Sequence, residues 1–200
     1  MTEPSNERVP YGVFPLATIM GGEYPGLAAT VLAKLEAFEC HRSAHLQDFA
    51  RKNVHKYESH GHSRTYLLIT SEGDEVDIIG FFTVGMTAFD LSQASSAAKK
   101  KLSGQVSMDQ TGAFSIAELA RSDRYTTDQL PGSVILDEAK EVVRRARNYV
   151  GGRFLVVDAR REVFEALYSK AGFKEVSVAQ APIGMEEANF VTACCVIKDW

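Results

Sequence analysis

A chain of 200 residues, 45% hydrophobic and 24% charged, is long enough to bury one core and too short for a second full domain. Its net charge of −4 excludes a generally basic nucleic-acid binder while leaving room for local basic patches, and its three cysteines form no even, spaced framework of the secreted kind. The N-terminus lacks the apolar core of a signal peptide and no run approaches the roughly 20 apolar residues of a membrane span, so a soluble, cytoplasmic protein is expected.

Residues 1–12 are polar and contain prolines, and are expected as a flexible tail ahead of a single domain over 13–200. Val13 to Met20 is short and apolar, ends at Gly21-Gly22, and reads as a first strand or extended segment. Pro25-Gly26 then opens a helix from Leu27 to Phe38. Its apolar positions Leu27, Val31, Leu32, Leu35 and Phe38 recur at three and four residues, as one buried face requires. His45 to Tyr57 repeats that pattern more weakly through Leu46, Phe49, Ala50, Val54 and Tyr57.

Arg64 to Thr70 and Val76 to Phe89 are rich in β-branched and aromatic residues and flank Ser71 to Glu75, which predicts a hairpin. Leu91 to Gly104 is polar and alanine-rich, suited to an exposed connection or a short helix. A strand over Ala113 to Ser122 leads through Thr126 to Ala139, TTDQLPGSVILDEA, into an amphipathic helix from Ser133 to Val150 that ends at Gly151-Gly152. Arg153 to Asp158 is nearly all apolar, as a strand covered on both faces would be. A helix from Arg161 to Ala171 with Gly172 as its stop, and strands over Phe173 to Val178 and Phe190 to Ile197, complete a mixed α/β order.

Where the Ala113 to Ser122 strand gives way to the long helix, the first backbone amides have no helical partners and the helix dipole adds partial positive charge. An anion such as phosphate is favoured at such a turn, and so is an ordinary helix cap. The surrounding segments supply a context. GSVILDEA (Gly132 to Ala139), RFLVVDARREVFEALYSKAGFKEV (Arg153 to Val176) and IIGFFTV (Ile78 to Val84) resemble the GNAT superfamily of acyl-CoA-dependent N-acetyltransferases, LYSKAGF being the most specific element. The resemblance implies a central mixed, mostly antiparallel sheet with flanking helices, splayed between its fourth and fifth strands at the acyl-CoA site. It places the pyrophosphate of acetyl-CoA at the N-terminus of the long helix.

In the front half, Phe38-Glu39-Cys40, Leu46-Gln47-Asp48-Phe49-Ala50, Arg64-Thr65-Tyr66-Leu67-Leu68, Gly80-Phe81-Phe82-Thr83-Val84 and Leu119-Ala120-Arg121 resemble the toxin-like GNAT proteins of bacterial toxin–antitoxin pairs, which acetylate the amino group of aminoacyl-tRNA. What this implies is a transferase with acetyl-CoA as co-substrate and an amine acceptor, that of an aminoacyl-tRNA or else of a protein or small molecule. An antitoxin protein partner and a homodimer are implied as well.

An amine attacking a thioester must lose a proton, and the departing thiolate must gain one. The resemblance places a sulfur-facing tyrosine at Tyr168, the candidate general acid; the other reading is a buried tyrosine whose hydroxyl is satisfied by backbone. Glu118 shares a strand face with Ile116 and Ala120 and is the candidate base, or else a solvent-facing glutamate. Arg121 matches an arginine of the toxin-like members, and would guide a phosphate or acceptor, or pair with an acidic neighbour. Cofactor-binding positions follow from the resemblance at Ala120, Arg121 and Ser122, at Thr127, Gln129, Leu130, Gly132 and Ser133, and at Arg161.

The family's loop pattern, Gln or Arg, two residues, Gly, one residue, Gly or Ala, survives here only at its final glycine. Leu130 stands at the middle glycine and Pro131 offers no N–H, so at least one donor to a pyrophosphate is missing. Arg161 stands where many members carry an asparagine that contacts CoA. These departures motivate a second expectation, a GNAT-fold protein that has lost turnover and acts as a non-catalytic binding or interaction module.

Cys40-His41 with His45 carries ligand types at helical spacing but lacks the third and fourth ligands of a zinc site, so no metal is expected. Cys194 and Cys195 point to opposite faces of a strand, at least one of them into a core. Lys99-Lys100-Lys101, Arg144-Arg145 with Arg147, and Arg160-Arg161 are basic clusters that anchor phosphates or form solvated helix faces.

Overall fold

Pro15 divides the segment that the sequence presents as one apolar run. In the computed structural model, which describes residues 7–73, 75–103, 109–176 and 189–197, strand β1 is Gly12–Pro15 and helix α1 is Leu16–Met20. Pro15 sits at φ −63° and ψ 131°, a conformation that ends a strand and begins a helix alike, and its missing N–H is needed by neither. The buried pair Leu16 and Ile19 is spaced by three, a helical interval, which corrects the expectation of a strand through Met20.

Helix α2 (Leu27–Glu36) follows Gly26, whose φ of 80° is one that glycine adopts without strain. Val31, Leu35 and Phe38 are buried as expected, but Leu32 is 37% exposed and lies off the packed face. The weaker pattern over His45 to Tyr57 is one helical run in three geometries: α3 (Ala44–Asp48), a π-helical turn over Phe49–Asn53, and α4 (Val54–Ser59). The π turn places Phe49 and Ala50 in the core and leaves Tyr57 44% exposed, where a regular 3.6-residue period would have buried it.

The expected hairpin is present as β2 (Arg64–Glu72) and β3 (Glu75–Asp90), paired antiparallel from Arg64↔Val84 to Glu72↔Glu75. Leu68 opposes Gly80 and Ile69 opposes Ile78, so Ile79 is the extra residue of a β-bulge. Next come α5 (Ser96–Ser103), β4 (Gln110–Arg121) and α6 (Gly132–Arg147). Helix α6 stops short of the expected Val150, because Asn148, Tyr149 and Val150 turn back onto the carbonyls of Arg145 and Ala146.

Strand β5 (Phe154–Arg160) runs into α7 (Arg161–Val163) and a second π turn over Phe164–Tyr168. Gly172, at φ 91°, ends that helical run as expected. Strand β6 is only Lys174–Glu175 and β7 is Phe190–Val196; the remainder of the strand expected through Val178 lies outside the described residues.

The strand order is β1-β2-β3-β4-β5-β7-β6. The pairs β1–β2, β2–β3, β5–β7 and β6–β7 are antiparallel, whereas β4–β5 is parallel, so the sheet is mixed and mostly antiparallel, flanked by helices. This is the architecture that the GNAT resemblance implies. The β4–β5 ladder holds only Phe114↔Leu155 and Ser115↔Val156, although β5 continues to pair with β7 as far as Arg160.

The contacts divide the chain into two compact units, Met1–Val84 with Glu118–Glu141, and Gly85–Ala117 with Val142–Trp200. The first has a core of Leu16, Ile19, Val31, Leu35 and Leu67 around three rings, with Phe81 5.3 Å from Phe38 and 6.0 Å from Phe49. The second is built on Phe89, Leu91, Ala113, Phe154, Val156 and Cys194, with Phe89 edge-on to Phe154 at 5.4 Å. Cys194 and Cys195 are both buried, and burial pushes the Cys194 thiol up to about 11. No helix among the described residues is long and apolar enough to cross a membrane.

Candidate functional site

In the first unit, the end of β4 and the loop after it are held from several sides. Ser122 donates its amide to the carbonyl of the bulged Ile79 at 2.9 Å, and Asp123 donates to the Glu39 carbonyl at 2.9 Å. Asp77 gathers the next residues: Tyr125 donates its hydroxyl to it at 2.7 Å and Arg124 its Nη1 at 3.1 Å. Gly80 lets β4 approach closely, since a Cβ there would stand 2.8 Å from the Ala120 carbonyl oxygen. The positions Ala120 and Ser122 are accordingly buried, at 3% and 2% exposure.

Arg121 turns its guanidinium to a backbone carbonyl. Its Nη1 donates to the Leu130 carbonyl at 2.9 Å and so ties the strand end to the far end of the loop. Its Nε is buried without a hydrogen-bond partner among the described residues, and burial together with the nearby Arg42 charge holds its pKa below the usual arginine value. Asp123, the adjacent carboxylate, is instead engaged by Arg42 at 2.9 Å and by the His41 amide.

The loop itself closes through Thr126 and Gln129. The Thr126 amide donates to Gln129 Oε1 at 2.9 Å and the Gln129 amide donates to Thr126 Oγ1 at 3.3 Å, while the Leu130 amide donates to the Thr126 carbonyl at 3.1 Å. The Leu130 side chain is 1% exposed. Gln129 and Leu130, both expected as cofactor donors, therefore have their amides already bonded. The Gly132 and Ser133 amides at the start of α6 donate to no protein group among the described residues, and Ser133 and Thr127 are exposed. These two amides fit an anion; Leu130 and Pro131 add no donor.

The N-terminal segment lies along this loop. The Val9 amide donates to the Gln129 carbonyl at 3.3 Å, and Tyr11 donates its hydroxyl to Glu138 Oε1 at 2.9 Å. Burial and the Glu138 carboxylate push the Tyr11 phenol up to about 12.

Glu118 lies on β4 with its amide donated to Thr83 Oγ1 at 3.0 Å. Its side chain is 12% exposed, and His45 Nε2 lies 2.8 Å from Oε1. Burial raises the carboxyl pKa, and the hydrogen bond and charge of His45 act against that rise. In the sequence His45 opens a helical pattern and stands with Cys40-His41 as a ligand-type residue. Among the described residues no group of three His, Cys, Asp or Glu side chains is placed to hold a metal, and Cys40 is buried with its thiol pKa raised by burial. The signal for His45 as a partner of Glu118 is absent from local spacing, because the pair forms across the fold.

In the second unit, Tyr168 ends the π turn. It is 6% exposed, its ring stands 5.3 Å edge-on from Phe173, and its carbonyl accepts the Phe173 amide at 3.1 Å. The Ser169 amide reaches back to the Phe164 carbonyl at 2.8 Å, the five-residue bond that re-aims Tyr168. Arg161 holds Glu175 with both guanidinium arms, at 2.9 and 3.1 Å, and lines an open cleft of about 540 Å³ with Arg160, Glu162, Glu165 and Asn189. The carboxyl pKa of Asp158, an acidic residue within β5, is raised by burial, and its side chain accepts a hydrogen bond from Thr192. Sequence reasoning passed over it, though a carboxylate in RFLVVD was the available signal.

No sequence-family profile matches the chain, and no characterised protein matches it by sequence. Solved structures do match its fold. A tyrosine-to-phenylalanine mutant of KacT has a TM-score of 0.65 at 18% identity, over 91% of this chain and 93% of that one. AtaT complexed with acetyl-methionyl-tRNAfMet has a TM-score of 0.64 at 19% identity, over 92% and 94%. An AtaT mutant toxin bound to the C-terminus of the antitoxin AtaR and to acetyl-CoA has a TM-score of 0.57 at 19% identity, over 80% and 84%. The chain thus has the fold of these toxins, in agreement with the toxin-like GNAT resemblance of its sequence.

Proposed function

We propose that the protein is an acetyl-CoA-dependent N-acetyltransferase of toxin-like GNAT type. The observation that carries this reading is the parallel β4–β5 ladder of the second unit, Phe114↔Leu155 and Ser115↔Val156, beside a β5 that pairs with β7 as far as Arg160. The sequence resemblance expects an acyl-CoA at this pair of strands. The Gly132 and Ser133 amides are the groups suited to the pyrophosphate, with Thr127 exposed in the loop before them and Arg121 bonded to the Leu130 carbonyl of that loop.

The co-substrate supplies an activated acetyl thioester. Glu118 takes a proton from the acceptor's ammonium group, so that its nitrogen lone pair becomes available for attack, and Tyr168 gives a proton to the departing thiolate. The acceptor favoured by the likeness to the tRNA-bound AtaT is the amino group of an aminoacyl-tRNA, with a protein or small amine as the alternative. An antitoxin partner and a homodimer belong to the same reading.

The bonded amides of Gln129 and Leu130 and the Glu175 clamp on Arg161 favour a second reading, a binding module without turnover. One experiment separates them: titration calorimetry with acetyl-CoA, followed by thiol release with candidate amines for the wild type and Tyr168→Phe. Binding with a fall in release on the order of a hundredfold in Tyr168→Phe supports the transferase. A folded protein with no binding at hundreds of micromolar sinks it, and equal release by the two proteins removes Tyr168 from the chemistry.

A further inference from the structure

The N-acetyltransferase reading requires a carboxylate that stays ionised although it is largely out of water. Glu118 is largely out of water, and among the described residues the side chain of His45 stands against it. His45 Nε2 stands 2.8 Å from Glu118 Oε1. An ionised carboxylate has no hydrogen to give, so the donor is Nε2–H, which the imidazolium and the Nε2–H tautomer of the imidazole both carry.

The imidazole is held where it is by its helix. Ser43 caps α3 by accepting the Leu46 amide at 3.3 Å, and the Cys40 amide donates to Gln47 Oε1 at 3.0 Å. One turn on, Phe49 and Ala50 are buried at 5% and 1% and Phe49 stacks on Phe81 at 6.0 Å. The helix cannot rotate without emptying those positions. His45 itself is 68% exposed against 12% for Glu118, so the pair runs from solvent to a nearly enclosed carboxylate.

We infer that His45 is a positioning residue for the transfer reaction: it holds Glu118 Oε1 through Nε2–H and leaves Oε2 to accept the proton of the acceptor amine. This inference rests on the N-acetyltransferase reading. The His45 hydrogen bond falls on Oε1 and takes up no site on Oε2. In the step, an N–H bond of the acceptor's ammonium breaks and an O–H bond forms at Oε2, the amine keeping the electron pair. His45 keeps its hydrogen on Oε1 throughout. Among the described residues the groups around this pair are Thr83, neutral, from β3, and near the imidazole Asp48 with its partner Lys52 at 2.8 Å and Arg51.

The test follows the Glu118 carboxyl by carbon NMR in the full chain, with Glu118→Gln to assign the signal, beside the pH profile of kcat/KM for acetyl transfer. In His45→Ala the Glu118 titration and the acid limb of the profile both move to higher pH by about one unit, a tenfold loss of rate on that limb. His45→Gln, which keeps an N–H donor, returns both toward the wild type. An unmoved Glu118 titration in His45→Ala overturns the inference without any appeal to turnover, and so does an unmoved acid limb. Absence of thiol release from the wild type with every amine overturns the transferase reading, and it is read on a different signal.

Discussion

At the scale of single residues, Gly80 shows most directly how side-chain identity is fixed by what lies opposite. A Cβ at that position would meet the Ala120 carbonyl oxygen at 2.8 Å and the Leu130 and Ile135 side chains at 3.3 Å. The nearest of these is backbone and cannot swing aside. Gly80→Ala is expected to destabilise the fold by about 1–3 kcal/mol through overpacking, read as a lower urea midpoint with the slope unchanged; an unchanged midpoint contradicts the close approach. The same neighbourhood explains Leu130, which the sequence presents as a lost glycine of a phosphate loop. It is a core residue, and its amide and carbonyl are both bonded. Glu118 was legible from the alternation of β4, since Ile116 and Ala120 on its face are buried with it. His45 and the loop-closing role of Arg121 were not, because each depends on a partner that only the fold brings near.

At the scale of elements, the hairpin, the long helix and the Gly172 stop are written in local sequence, and all three are present. The departures arise where one residue changes the period. Pro15 converts a strand into a helix start, and the two π turns insert a residue into runs whose apolar spacing then no longer fits 3.6. The attachment of the N-terminal segment to α6 was hidden for another reason: Tyr11 and Glu138 are far apart in the chain and carry no local pattern. That contact predicts a pH dependence. Tyr11 is held above its ordinary value of 10, at about 12, so its contribution to stability is fully present below pH 10 and is lost as the pH rises toward 12. Tyr125, raised by burial and by Asp77, adds a loss of the same sign at higher pH. Thermal melts of the wild type from pH 9 to 12 should therefore fall more steeply than those of Tyr11→Phe. Parallel curves would show that the phenol and Glu138 are not coupled in solution.

At the scale of the whole molecule, strands β3 and β4 and helix α6 each contribute residues to both compact units, so neither unit is a continuous piece of chain. Composition could bound the size of the core but not this threading, and the parallel β4–β5 pair was accessible only through resemblance to a family. Charge is the remaining global quantity, and it bears on the acceptor. A chain with a net charge of −4 gains no general attraction for RNA, so an aminoacyl-tRNA would have to be held by local clusters. The last turn of α6 supplies one, with Arg144, Arg145 and Arg147 all exposed on a single turn and Tyr149 90% exposed just beyond it. If three phosphates are neutralised there, kcat/KM for an aminoacyl-tRNA should fall roughly twenty- to fortyfold between 50 and 200 mM salt, because each contact releases a condensed counterion. A small amine carries no such atmosphere and its transfer rate should change little over that range. Parallel assays with aminoacyl-tRNA and with the free amino acid amide, across that salt range, decide the class of acceptor. A steep loss confined to the tRNA assigns the cluster to the phosphate backbone. A flat profile for both acceptors removes the cluster from recognition and moves the weight to a small-amine substrate.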